Sequence, residues 1–202
     1  MKKTFYVLIF MICLSGCNSI KNMTVKEQEI LNASEVNTPF RVLLTDNIDD
    51  SLFLRKKSIN IDIKNIAQDT NWQLFIERLK LTMATEFGVG IAAPQVGIGR
   101  NLFLFTRIDK PGMPVTVAIN PKIVNHSQET ICFEGDGCLS IPNTSGTSRR
   151  YAWIDVEYYN EKGELIKERL SGSSRKGYFT GSVFQHEFDH LHGVLCIDKL
   201  CD

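Results

Sequence analysis

The stretch QHEFDHLHG, residues 185–193, constrains this chain more than any other. His186 and His190 stand four positions apart, so on a helix both imidazoles project from one face, with Glu187 beside the first. A helix over about residues 177–192 puts Val183 on that same face, and Phe184, Phe188 and Leu191 on another. With one side suited to a metal and the other apolar, neither belongs in solvent. The expected fold therefore has this helix at its centre with sheets packed around it, and Gly193 is placed to end it.

The remaining elements point to class α+β with antiparallel sheets. Trp72, Phe75, Ile76, Leu79 and Met83 recur at helical spacing within residues 69–87, with Asp69 or Thr70 as N-cap and Gly88 beyond the end. Strands are expected at residues 101–106, 115–120 and 131–133, and a hairpin at 152–159 and 164–170 across the turn at 160–163. No strand-helix alternation precedes the last helix. A length of 202 residues with 43% hydrophobic content suits one core plus an arm. The formal net charge is zero and no basic stripe is present, which gives no reason to expect a nucleic-acid partner.

Residues 1–17, MKKTFYVLIFMICLSGC, are of a different kind: two lysines, an apolar run too short to span a bilayer comfortably, then small residues before a cysteine. Leu14-Ser15-Gly16-Cys17 resembles the lipobox of bacterial lipoproteins, which implies an exported protein held to the membrane by a lipid anchor on Cys17. A cytoplasmic protein is expected if the signal is not functional. Residues 18–39 read as a tether, and 40–202 as the catalytic domain. Outside the signal the cysteines are Cys132, Cys138, Cys196 and Cys201. An even number suits disulfides in an exported chain and thiols or metal ligands in a cytoplasmic one, and the count does not decide.

A catalytic metal site wants a third protein ligand beside His186 and His190. A downstream glutamate is excluded, because the only acids after His190 are Asp198 and Asp202. Cys196 falls where a metzincin carries its third ligand, but no methionine follows it to build the turn beneath such a site. Upstream, GDGCLSIP offers Cys138, as either a ligand or a small buried thiol.

Three motifs, GVGIAAPQ (88–95), GCLS (137–140) and QHEFDHLHG (185–193), resemble those of the peptide deformylases in order and separation. The resemblance implies a metal-dependent hydrolase that removes the formyl group from N-formylmethionyl peptides and releases formate. It implies one divalent metal on Cys138, His186 and His190, with iron(II) favoured and zinc or nickel also accepted. Glu187 would be general base and acid, and the Gln95 amide and the Leu139 backbone N–H would serve the oxyanion. Backbone groups at Val89 and Gly90 would pair with the peptide, while Val183 would line the methionine pocket and Arg149 would help bind substrate.

Several residues depart from that family's pattern. Asp136 stands where a glutamate is usual, which predicts a lengthened or lost supporting hydrogen bond. Gly181-Ser182 replaces bulkier residues facing the pocket, and the loop expected at NTSGTSRR lacks a proline before its arginine. Export also removes a deformylase from nascent chains. Two alternatives therefore stand beside the first reading: a non-catalytic, metal-stabilised peptide-binding lipoprotein, and a small metallo-amidase or protease using Cys196.

Overall fold

A computed structural model describes residues 23–172 and 174–201. The signal-like segment and the first residues of the expected tether lie outside that range. The rest of the tether is not a plain linker, because Val25–Asn32 forms helix α1. Its N-terminus is closed by a capping box in which Thr24 and Glu27 satisfy each other's backbone. Glu27 also pairs through both oxygens with Arg100, whose side chain is completely buried. The arm after it contains a second short helix, α2 (Ile48–Leu54), capped by Asn47.

Helix α3 (Thr70–Thr85) is capped by Asp69, whose carboxylate accepts from the N–H groups of Asn71 and Trp72, and it buries the apolar stripe read from the sequence. It stops earlier than its periodicity suggests, because Phe87, and not Gly88, takes the left-handed conformation at φ 54°. The chain continues into β1 (Gly90–Ala92), a short 3-10 turn Ala93–Val96, and strands β2 (Leu102–Thr106) and β3 (Val115–His126). Strand β3 runs past its expected end with register shifts on either side of Lys122. The left-handed Asn120 at this irregularity uses its side-chain amide to hold both backbone groups of Ile61.

Strands β4 (Thr130–Cys138) and β5 (Ile141–Tyr151) form a two-stranded antiparallel sheet, so NTSGTSRR is strand and not loop. Strands β6 (Trp153–Tyr159) and β7 (Leu165–Ser171) make the expected hairpin and complete a five-stranded antiparallel sheet in the order β1-β2-β3-β6-β7. Helix α4 (Thr180–His190) lies between the two sheets, as its two-sided pattern requires. Phe184 packs edge-on against Phe103 and Phe105 at 4.9 and 5.3 Å. Gln185 exchanges hydrogen bonds with both backbone groups of Tyr151, pinning the helix to the end of β5. Gly181 faces the Ser171 backbone, 3.0 Å from where a Cβ would sit, so it admits close packing on β7 and does not widen the pocket. A disulfide joins Cys132 on β4 to Cys201. Among the described residues no helix is long and apolar enough to cross a membrane.

Candidate active site

Strand β4 ends at Cys138, and α4 brings His186 and His190 to it. One potential ligand atom from each lies within 4.8 Å of the others, and all three side chains are buried. The Cys138 Sγ is 3.3 Å from His190 Nε2. Cys196 touches Cys138 but does not join the cluster, so the Cys196-based arrangement is not the one built. That contact, together with burial, pushes the Cys138 thiol up. A bound cation would supply the stabilisation that a thiolate here lacks.

His186 is oriented by a network that the sequence did not reveal. Its Nδ1 is 2.7 Å from an Asp136 oxygen, leaving Nε2 to face the cluster. The shorter aspartate therefore does not lose this contact. Asp136 in turn accepts from Ser148 and from Arg150, whose other amino group reaches Asp189 on α4. Burial alone would raise the Asp136 carboxyl, but His186, Arg150 and Ser148 hold it well below the usual carboxylate range.

Glu187 is 4% exposed and its Oε2 has no hydrogen-bond partner among the described residues. Burial is the main cause that pushes its carboxyl up to about 7. A carboxyl so placed can hold or release a proton near neutrality. An open-handed carboxylate beside a Cys-His-His set fits a catalytic divalent cation better than a closed structural one.

Gln95 is fixed at both ends of its amide. Its Oε1 accepts from Ala92 N–H at 2.9 Å, while Nε2 lies 3.2 Å from Ser140 Oγ and 3.7 Å from Cys138 Sγ. Opposite Glu187 runs β1, the edge strand of its sheet. The Val89 carbonyl is taken by Thr106 N–H, so the next residue's N–H and C=O, those of Gly90, face the open edge. A Cβ on Gly90 would sit 2.4 Å from Glu187 Oε1, which makes glycine a requirement of space at this position.

Cys138, His186, Glu187, Gln95, Gly90 and Asp136 line one cleft of about 570 Å³, together with Val89, Leu139, Ser182, Val183, Phe133, Phe179 and Arg175. Arg149 is not among them. Both Arg149 and Arg150 border a smaller cavity with Lys199 and Leu200, but adjacent strand residues face opposite ways, and the Arg150 side chain is buried while Arg149 is exposed. Arg150 pairs with Asp136 in the core.

The model of the polypeptide deformylase family matches residues 44–202. The chain belongs to the polypeptide deformylase family. It is 43% identical over 145 residues to a peptide deformylase of Nostoc, covering 68% of this chain and 76% of the relative. Identity to the peptide deformylase of Thermotoga petrophila is 45% over 132 residues, covering 65% and 74%. The crystal structure of the Thermotoga maritima peptide deformylase superposes with a TM-score of 0.69 at 36% identity, covering 82% of this chain and 99% of that one. A class I type b peptide deformylase from Acinetobacter baumannii, bound to Met-Ala-Ser, superposes with a TM-score of 0.68 at 27% identity, covering 81% and 99%. The chain is thus a metal-dependent deformylase that hydrolyses a formyl amide.

Proposed function

We propose that this deformylase is an exported, lipid-anchored enzyme that uses iron(II) to release formate from N-formylmethionyl peptides. The observation that carries the chemistry is the buried Cys138, His186 and His190 cluster with Glu187 beside it in an open cleft. These three residues would hold a divalent cation, which would supply a Lewis acid to acidify water and polarise the formyl group. Glu187 takes a proton from water and returns it to the leaving amine nitrogen. Gln95 Nε2 and the Leu139 N–H donate to the formyl oxygen as its charge develops. The Gly90 backbone groups, with Val89 beside them, pair with the peptide as an added strand, while Val183 receives the first side chain. The Acinetobacter relative's bound Met-Ala-Ser supports a peptide in this cleft. Zinc or nickel would satisfy the same ligands.

Export is supported by two independent features. One is the LSGC quartet after an apolar run. The other is the Cys132–Cys201 disulfide, a bond that persists in oxidising compartments. Met23 is already buried in the domain, so five residues separate it from Cys17, a span of at most about 20 Å. An anchor on Cys17 would keep the domain at the membrane surface. The test is to express the full chain in bacteria with a radiolabelled fatty acid, beside Cys17→Ala, and assay membranes and residues 18–202 for formate release from formyl-Met-Ala-Ser. Label and membrane-bound activity that depend on Cys17 are expected. Unlabelled, soluble, active protein would overturn the location, and metal-loaded protein without turnover would overturn the activity.

A further inference from the structure

The connection from β7 to α4, GSSRKGYF at residues 172–179, places Arg175 on the wall of the catalytic cleft. Its guanidinium carbon lies 5.7 Å from the ring centroid of Phe133 and 5.5 Å from that of Phe179, both within cation–π range. One amino group donates to the carbonyl of Gly135. Gly135 has φ 69°, and a Cβ there would come within 3.0 Å of Arg175 Nε, so β4 leaves room for this side chain. Among the described residues Arg175 forms no ion pair, whereas Arg150, the other arginine close to the site, is spent on Asp136 and Asp189. Arg175 is therefore a seated guanidinium on the wall of the peptide cleft, and none of the described acids, including Glu86 and Glu187 of the same cleft, pairs with it.

We infer that Arg175 is a specificity-determining residue that binds a carboxylate carried by the formyl peptide close to its formylated end. The inference rests on the deformylase reading above. A guanidinium already held by two rings and a carbonyl loses little freedom on binding, and its remaining N–H groups match the two oxygens of a carboxylate. The carboxylate can come from an acidic second residue or from the C-terminus of a very short peptide. Either way the contact lies away from the scissile bond, so it acts on KM more than on kcat.

Formate release by the metal-loaded full chain and by Arg175→Met, which keeps an apolar stem over the rings, separates these sources. Formyl-Met-Asp-amide against formyl-Met-Asn-amide reports the side chain, and formyl-Met-Ala against its amide reports the C-terminus. In at least one pair the wild type is expected to favour the charged peptide by about tenfold in kcat/KM at low salt, and the variant to bring that ratio near one. Ratios near one for both pairs in the wild type, or a preference that survives in Arg175→Met, would overturn the inference. If no peptide is turned over, the deformylase reading fails separately. The same pairs are then compared, without their formyl groups, by calorimetry: equal affinities overturn the role of Arg175, and a tenfold difference abolished in the variant upholds it.

Discussion

Gly90 and Glu187 occupy space that cannot be shared with a methyl group, and this makes a glycine in an edge strand part of the site. Gly90→Ala is expected to displace the Glu187 carboxyl or open β1, lowering kcat about a hundredfold while metal content stays stoichiometric. Near-native turnover by that variant would show that Glu187 has room to move. The two buried thiols divide just as sharply. Cys138→Ser is expected to lose the metal, whereas Cys196→Ala keeps it, as read by metal analysis after dialysis. Most of this set was legible in the sequence, because His186, Glu187 and His190 are local to one helix and Cys138 sits in a short motif. What was not legible was that Arg150 turns inward to Asp136 and Asp189. A shift of one residue along β5 exchanges exposed and buried positions, and only the pairing of β4 with β5 fixes which is which.

At the scale of elements, Asp136 on β4, Arg150 on β5 and Asp189 on α4 tie both sheet strands to the metal-bearing helix. Asp136→Asn keeps the shape and removes the charge, and is expected to weaken metal binding by about 10- to 100-fold in competition with a chelator. The carboxyl of Asp136 is depressed in the folded protein, so its contribution to stability is complete above about pH 3.9 and is lost as the pH falls below it. The wild type is therefore expected to lose stability steeply on acidification below about pH 4, with a shallower slope in Asp136→Asn. Equal slopes by denaturant titration would remove Asp136 from that role. The helices α3 and α4 and the β6–β7 hairpin were readable from periodicity. The length of β4 and β5 was not, because glycines and hydroxyl residues at positions 135–148 carry a turn signature that sheet pairing overrides.

At the scale of the molecule, the described part of the chain is secured near both of its limits. Helix α1 escaped notice because it is short and lacks an apolar period. It is held by a capping box and by a buried pairing of Glu27 with Arg100, partners 73 residues apart that no local pattern joins. The disulfide closes a loop of 69 residues, and Cys132→Ser is expected to cost about 2–4 kcal/mol in denaturant unfolding under oxidising conditions. An unchanged midpoint would mean that the bond contributes nothing to the fold. With the scaffold fixed in this way, turnover depends on one proton carrier in one cleft. The most direct test is formate release from formyl-Met-Ala-Ser by the wild type and by Glu187→Gln, each with its metal content measured. The expected result is equal metal in both and a kcat at least about a hundredfold lower in the variant. A fully metallated Glu187→Gln protein that keeps wild-type turnover would contradict the account.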